Sequence, residues 1–546
     1  MFRAGHLARR SVRALRCNAG ATLALLVGSI PCVNSQMKRA SRSWGVAVTA
    51  GRGLLLALCG VAVQGQAAQA DATQQVLEHH GNAARSGSYV VPGLTLEAAA
   101  RLRADPDFHA DIAGPVYAQP LYWAAPGADH GLLLVATEQN LVYALDSRTG
   151  AVAWKTALGP AMPRSSLPCG NIDPLGITGT PAIDEHTQAL YLDAMVRDQA
   201  SHEPRHLIFA LSLKDGSVLS GWPLDVEAAL KRSGQTFRSS VQNQRGALTL
   251  VANTIYVPYG GHFGDCGDYR GWVVSVSLQT VHTVRGWSTR ARGGGIWAPG
   301  GVSSDGSALY IGTGNTIGAG RWSDGEAVIR LAPDLSFSAQ SRDYFAPTDW
   351  LQLDAADADL GGTNPLLINL PGATIPELVL ALGKDGNAYL LDRHHLGGIG
   401  GALVSRKVSS VAMRTSPAYV LAGNEAFVAF QGRGVDCPRG TSGDLVALRI
   451  ISGSPPQLAA LWCAAADGRG SPIITTTDGR ANAIVWIVGA EDSNRLRGFR
   501  ADTGAVVFSG GGPAEAMSQV RRFQTPIVVG HHLYIAADQR LYAFAF

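Results

Sequence analysis

One short phrase recurs eight times along the chain and constrains its fold more than any other feature. The most complete copy, residues 132–154, contains an apolar strand, a polar turn, a second strand ending Ala-Leu-Asp, a Thr-Gly turn and a third strand closing on Trp. Equivalent positions of the copies are Ala144, Ala210, Ser275, Arg330, Leu390, Ala447, Gly498 and Ala543. The regular spacing of these positions, with short strands in each copy, predicts one sheet per repeat and a ring of sheets.

The predicted fold is all-β: a single eight-bladed β-propeller of four-stranded antiparallel blades, formed by residues 112–546. The last repeat stops at Phe546, one strand short. We expect the β-prone residues 112–117 to pair with the last sheet, because an N-terminal strand would close the ring and remove its exposed edges. Residues 71–111 are a separate N-terminal segment in this scheme, and short helices are expected at 95–103 and 225–231.

The first 70 residues have the composition of a targeting region. They carry nine Lys or Arg and no acidic residue. The apolar run 54–63 is too short to span a bilayer and precedes a small-x-small site, which predicts a signal peptide cleaved after Ala70, with Met37 as a second candidate start. A transmembrane anchor is the alternative. We expect a periplasmic or secreted protein with no membrane span in the mature chain.

Removal of that region reverses the net charge. The 45 basic residues of the chain fall to 36 against 42 acidic ones, so the charge changes from +3 to −6. A mature chain of that charge has no electrostatic reason to bind nucleic acid.

Four cysteines follow the targeting region: Cys169, Cys266, Cys437 and Cys463. In an oxidising compartment their even number permits two disulfides in three possible pairings. We favour Cys169–Cys266, because both lie in Gly-rich loops of neighbouring repeats, with Cys437–Cys463; free buried thiols are the alternative. No Cys-x-x-Cys-His motif is present, so the sequence predicts no attached c-type haem.

Three loops carry residues that could perform chemistry. Trp297 follows three glycines, which suits stacking on a planar cofactor, and Asn315 ends a strand with a carbonyl oxygen that could bind a hard cation. Asp354, Asp357 and Asp359 could place one carboxylate beside a metal and another as a general base.

The third loop is a tight Gly-Lys-Asp-Gly turn in which Lys384 could hydrogen-bond a ligand carbonyl or carboxylate. Each of the three loops also has an ordinary interpretation. These are a packing Trp with a turn Asn, a solvated acidic loop and a solvated turn lysine.

The repeat, with its Ala-Leu-Asp-x-x-Thr-Gly-x-x-x-Trp pattern, resembles the quinoprotein alcohol dehydrogenase superfamily of eight-bladed propellers. Enzymes of that family bind pyrroloquinoline quinone (PQQ) and calcium or a lanthanide on the channel axis. The resemblance implies that Trp297 lies under the quinone and Lys384 contacts it. It also implies that Asn315 is a metal ligand and that Asp359 is the catalytic base, with Asp357 as the second match and a further candidate ligand.

The chain also departs from that family. It lacks the adjacent cysteine pair that packs on the other quinone face, and the metal-binding glutamate should fall near 264–267, where only Asp265 or Cys266 is available. Its likeness to exported propellers with Ala-Gln-Pro-Leu-Tyr (118–122), Gly-Ile-Thr-Gly-Thr-Pro (176–181) and Gly-Lys-Asp-Gly signatures is greater, but implies no activity.

Two functions compete. The first is an exported PQQ- and metal-dependent dehydrogenase that oxidises an alcohol or sugar and passes electrons to a separate acceptor. The second is a non-catalytic propeller that binds an envelope protein as an assembly scaffold. A hydrolase using His79, His80 or the pair at 531–532 has neither a nucleophile nor metal-ligand spacing to support it.

Overall fold

The apolar strands and Gly/Asp-rich turns of the repeats form eight antiparallel sheets arranged as a ring, which confirms the predicted eight-bladed β-propeller. The computed structural model describes residues 75–278 and 283–546. The predicted targeting region, residues 1–70, lies outside the described residues.

Each blade contains four principal strands, numbered here from the first to the fourth in every blade. Blades 1 to 4 consist of Leu121–Trp123, Leu132–Ala136, Leu141–Asp146 and Val152–Ala157; Ala182–Asp184, Ala189–Arg197, Pro204–Ser212 and Leu224–Asp225; Thr249–Val251, Thr254–Gly261, Trp272–Ser277 and Val284–Ser288; and Ser303–Ser304, Leu309–Thr313, Ala327–Leu331 and Tyr344–Ala346.

The second half of the ring repeats this pattern. Blades 5 to 8 consist of Leu366–Asn369, Glu377–Leu382, Asn387–Asp392 and Val404–Lys407; Ala418–Ala422, Glu425–Gln431, Leu445–Ile451 and Gln457–Ala464; Ile473–Thr476, Ile484–Val488, Leu496–Arg500 and Val506–Phe508; and Ile527–Val529, His532–Ala537, Arg540–Ala545 and, from the N-terminal segment, Arg103–Ala104 with Ala110–Asp111. The short strands Gln242–Asn243 and Gly398–Ile399 extend the sheets of blades 3 and 4.

The ring is closed by an N-terminal strand, but not by the predicted residues. Arg103–Ala104 and Ala110–Asp111 pair antiparallel with Arg540–Ala545. The assignment of this strand to residues 112–117 is therefore wrong. The backbone N–H of Ile112 still bonds Gln539, at 3.0 Å, and the chain then leaves the sheet at Gly114, whose φ of +98° ends the extended run.

The recurring sequence phrase contributes to packing between blades, because its closing Trp contacts the next blade. The Trp154 indole donates to the Leu213 carbonyl at 3.0 Å, and a Cβ on Gly216 would lie only 2.4 Å from its ring. Trp462 makes the same contact with Ala501, at 2.8 Å. The closing Trp of one copy thus packs against the turn of the following copy.

A segment before the first blade fills the centre of the ring. We call residues 75–90 the channel plug. Val76 pairs with Tyr122, and Ser88–Val90 runs parallel to the first strand of blade 7. Further backbone hydrogen bonds reach blades 2, 4, 6 and 7 through the N–H groups of Ile183, Ser304, Tyr419 and Ile474. The plug therefore binds the first strands of most blades.

A buried ion pair fixes the plug. Arg85 is fully buried and donates to Glu78 at 2.8 Å, to the Leu248 carbonyl at 2.7 Å and to the Gly300 carbonyl at 3.0 Å. Its guanidinium also bonds the Thr249 hydroxyl. These contacts tie the plug to blades 3 and 4.

Helix is scarce. Leu96–Ala100 and Val226–Arg232 lie where short helices were predicted, each capped by a side chain, Thr95 or Asp225. A third helix, Trp350–Ala356, was not predicted, because its acidic sequence was interpreted as a loop. Single 3₁₀ turns occur at His79–Gly81, Arg164–Ser166, Ser239–Val241, Leu360–Gly362 and Pro513–Glu515. No helix in the described part of the chain is long and apolar enough to cross a membrane.

Both favoured disulfides are present. Cys169 is bonded to Cys266 and Cys437 to Cys463. The first bond joins the connection between blades 1 and 2 to a loop of blade 3, and the second lies within blade 6.

Candidate functional site

Antiparallel blades bring two loops from each repeat to the same end of the ring, the loop before the first strand and the loop between the second and third strands. We call this end the upper face. Trp297 and Asp359 lie in the loops before blades 4 and 5, and Asn315 and Lys384 lie in the second loops of the same blades. Residues that lie up to 87 positions apart in the sequence are thereby brought into direct contact.

The Asp359 carboxylate is the centre of these contacts. Its Oδ2 lies 2.5 Å from Lys384 Nζ and accepts a hydrogen bond from Trp297 Nε1 at 3.1 Å. Its Oδ1 accepts from the backbone N–H of Asn315 at 2.7 Å. The side chain is only 3% exposed. Three other residues predicted from the sequence therefore meet at the Asp359 carboxylate.

Lys384 lies over the indole. Its Nζ is 5.1 Å from the centroid of the Trp297 ring and 2.8 Å from Asp357 Oδ1. Gly314 permits the close approach, because a Cβ there would lie 2.7 Å from Asp359 Oδ1. The second glycine of the Gly-Thr-Gly-Asn sequence is therefore required because a larger residue would clash with Asp359.

Glu326 belongs to the same cluster and was missed by the sequence analysis. It is fully buried, and its Oε2 accepts from the Leu360 N–H at 2.6 Å, whereas Oε1 has no hydrogen-bond partner among the described residues. Burial, followed by the negative charge of Asp359, raises the pKa of Glu326 to about 9. Glu326 therefore carries a proton at neutral pH.

The repeat itself held a signal for Glu326. Its φ is +50°, and the corresponding position of other copies is occupied by residues that tolerate this conformation, namely Asn140, Gly386, Gly443 and Asn494. The last copy has Gln539 at this position, with a φ of +66°, so a glutamate there is unusual but is not by itself evidence of a role. We call Trp297, Glu326, Asp359 and Lys384 the Asp359 cluster.

The opposite charges of Asp359 and Lys384 stabilise each other. Burial raises the pKa of the Asp359 carboxyl, and the positive charge of Lys384 opposes that shift. Burial is the largest influence on Lys384 and lowers its pKa, but the charges and hydrogen bonds of Asp359 and Asp357 together outweigh it, and the pKa rises. The cluster is thus an ion pair beside a protonated carboxyl group.

The predicted metal ligands are not assembled into one set. Asp357 pairs with Lys384, Asp265 accepts a hydrogen bond from the Tyr269 hydroxyl at 2.5 Å, and Asn315 contacts Asp359 through its backbone. Asp354, on the unpredicted helix, bonds the Thr316 N–H at 2.7 Å. Within residues 75–278 and 283–546 no three His, Cys, Asp or Glu side chains are grouped to hold a metal ion. Metal ligation stays a prediction.

The histidines considered for a hydrolase lie apart. His79 and His80 stack in the channel plug, where burial lowers the pKa of His79 well below its usual range and lowers that of His80 to about 3. His532 bonds Asp105 at 2.8 Å, beside the last blade.

Comparison with known proteins supports the fold at low sequence identity. No protein-family model and no curated protein sequence matches the chain. Among solved structures, quinohemoprotein alcohol dehydrogenase ADHIIG from Pseudomonas putida HK5 is 15% identical, with a TM-score of 0.60 over 86% of this chain and 79% of that one. The quinohemoprotein alcohol dehydrogenase of Comamonas testosteroni is 14% identical, with a TM-score of 0.57 over 86% and 80%.

A europium-containing methanol dehydrogenase is 13% identical, with a TM-score of 0.60 over 87% of this chain and 98% of that one. Identities this low carry the fold and not the activity. The resemblance inferred from the repeats is confirmed at that level: the chain has the eight-bladed propeller fold of the quinoprotein alcohol dehydrogenases.

Proposed function

We propose that the chain is an exported, PQQ-dependent dehydrogenase that oxidises an alcohol or a sugar. The observation that carries the proposal is the convergence of Trp297, Asp359 and Lys384, from two neighbouring blades, on one buried carboxylate at the upper face. Two disulfides are consistent with folding in an oxidising compartment.

The donor set fits a planar, electron-accepting quinone. Trp297 offers a flat ring, and Lys384 offers a cation above that ring that can hydrogen-bond a quinone oxygen. Bound PQQ would supply the two-electron acceptor for alcohol oxidation. The unpartnered Oε1 of Glu326 provides a further polar group close to Asp359.

Asp359 is suited to remove the hydroxyl proton of the substrate. A carboxylate oxygen has two lone pairs, and Oδ1 receives only the Asn315 N–H, so it can still accept a substrate hydroxyl. Burial raises the pKa of Asp359, which makes the carboxylate a stronger base. Protonated Glu326 keeps a second negative charge away from the base.

No step is assigned to a metal ion, because Asp357 is paired with Lys384, Asp265 is bonded to Tyr269, and the proposed ligands do not form one set among the described residues. Calcium or a lanthanide remains part of the prediction made from the resemblance. Electrons would leave through a separate acceptor protein or quinone, since the sequence has no haem-attachment motif.

The second candidate is a non-catalytic envelope scaffold, and one observation favours it. Asp359, Lys384, Asp357 and Trp297 already bond one another, so the cluster is held together without a ligand. In a scaffold this network would only stabilise the contact between blades 4 and 5, and an envelope protein would be the partner.

Dye-linked turnover separates the two candidates. The purified protein, incubated with PQQ and either Ca²⁺ or a lanthanide, is assayed with a panel of alcohols and sugars. We expect turnover that falls by about 10²- to 10⁴-fold in Asp359→Asn, which removes the base and keeps its shape. The matched control is Asp478→Asn, in an exposed turn of blade 7. Saturable PQQ binding without any turnover, or equal turnover in Asp359→Asn and wild type, would leave the scaffold as the better account.

A further inference from the structure

The loops before the first strands also build the mouth of the central channel. Four residues before its first strand, each blade except blade 5, which has Gly362 there, places one side chain at the upper face. In blades 1, 2, 3, 4 and 8 these residues line one cavity together with His79 of the plug; they are Tyr117, Thr178, Arg245, Pro299 and Phe523. The equivalent residues of blades 6 and 7 are Arg414 and Arg469. The repeat register therefore puts three arginines at one mouth.

Most of the other charges at the upper face are already paired. Glu491 lies 2.8 Å from Arg522 and 3.9 Å from Arg469, and Asp538 binds Arg521. Asp357 and Asp359 bind Lys384. Among the described residues, no carboxylate lies within salt-bridge distance of Arg245 or Arg414. The mouth therefore has cationic groups in excess.

Some of the hydrogen-bond donors of the Arg245 side chain have an acceptor and others have none. Its Nε is buried and has no hydrogen-bond acceptor among the described residues, while one Nη bonds Asn171 at 3.2 Å. Its guanidinium carbon lies 5.9 Å from the centre of the Phe523 ring. Burial lowers the pKa of Arg245, Tyr117 and the carboxyl group of Glu138 oppose this shift, and the positive charge of Arg522 adds to it. An unpaired cation in this position is costly unless an anion binds to it.

Arg414, before the first strand of blade 6, shares Arg522 with Arg245 as a charged neighbour. Partial desolvation lowers its pKa first, and the positive charges of Arg469 and Arg522 lower it further. The negative charges of Asp357 and Asp359 oppose this lowering. A negative ligand between the arginines would further reduce their mutual repulsion.

We propose that the channel mouth is a binding site for a small polycarboxylate, held by Arg245, Arg414 and Arg469. The three guanidinium groups belong to blades 3, 6 and 7, so the ligand must present separate acidic groups and not one. Planar, forked guanidinium groups pair well with carboxylates. Tyr117, Pro299 and Phe523 would contact the carbon skeleton between those groups. The inference does not depend on PQQ binding or turnover.

Citrate tests the site without a cofactor. Calorimetric titration of the purified protein at constant ionic strength should give saturable, single-site binding of citrate and none of acetate. Arg414→Gln and Arg469→Gln should each weaken citrate binding by about tenfold. Both side chains are exposed, so these variants should fold. The control Arg101→Gln removes an exposed arginine of the N-terminal segment that pairs with Glu97, and should leave binding unchanged.

Two results would overturn the proposal. One is citrate binding that does not saturate or that acetate reproduces. The other is an affinity that is the same in wild type, Arg414→Gln and Arg469→Gln. Failure of citrate to bind together with saturable PQQ binding would reject this site and leave the proposed dehydrogenase intact.

Discussion

The channel plug and the Asp359 cluster both bury ionisable groups, but they use them differently. In the plug, Arg85 is saturated by Glu78 and by backbone carbonyls from blades 3 and 4, and every side-chain nitrogen of Arg85 has a partner. In the cluster, Glu326 keeps an unpartnered oxygen and Asp359 keeps a free lone-pair direction. Among the charged groups, the full pairing of Arg85 indicates a structural role, although His80 Nδ1 and the Tyr89 hydroxyl in the plug lack partners among the described residues. The unused acceptors of Glu326 and Asp359 could instead bind a ligand.

The largest expected effect belongs to the plug. Arg85→Met would leave Glu78 buried without its partner, which costs about 3–5 kcal/mol. We expect the free energy of unfolding, measured in urea, to fall by that amount. The double variant Arg85→Met with Glu78→Gln should recover part of the loss, because it removes the isolated charge. A loss below about 1 kcal/mol in Arg85→Met would show that the plug does not hold the ring together.

Glu326 should make the free energy of unfolding depend on pH. Its carboxyl keeps a proton in the folded state up to about pH 9, whereas the unfolded chain loses it near pH 4.5. Rising pH therefore favours the unfolded state of the wild type across this range, by up to about 1.4 kcal/mol per pH unit. Glu326→Gln removes this dependence.

The measurement is urea denaturation of both proteins at pH 5, 7 and 9. We expect the variant to gain stability relative to wild type as the pH rises, and the two to be most alike at pH 5. Parallel pH profiles would contradict a protonated Glu326.

The smallest effect is expected at the rim of the cluster. The Asp357 side chain is 64% exposed, so its ion pair with Lys384 is screened by solvent and is worth less than about 1 kcal/mol. Asp357→Asn should change the denaturation midpoint little and keep turnover within about threefold of wild type. Loss of turnover in Asp357→Asn with normal turnover in Asp359→Asn would show that Asp357, and not Asp359, is the base.

The sequence predicted the ring because the repeat is local: alternating strands and Gly/Asp turns recur along the chain, and a closing Trp docks on the next blade at Trp154 and Trp462. It did not predict the plug. Residues 75–90 belong to no repeat, and their partners are spread over blades from Tyr122 to Ile474. The closing strand was placed a few residues late, because β-propensity favoured 112–117 and could not register the turn at Gly114.

The same contrast holds in the site. Trp297, Asn315, Asp359 and Lys384 were found because short motifs flank each of them, and adjacent blades explain why they meet. Glu326 lies in no such motif, and its place in the repeat turn is the sequence signal that was missed. Its protonation comes from burial beside Asp359, which no local pattern reports. Asp265 was chosen by spacing alone, and the structure shows it bonded to Tyr269.

The central claim is that Trp297 and its neighbours form a quinone site, and equilibrium PQQ binding tests it most directly. PQQ is titrated by difference absorbance into wild type, Trp297→Ala and the control Trp287→Ala, which alters an indole on the fourth strand of blade 3. We predict saturable binding of one PQQ per chain in wild type and in the control, weakened at least tenfold in Trp297→Ala. No saturable binding with Ca²⁺ or a lanthanide present, or equal affinity in wild type and Trp297→Ala, would contradict the claim.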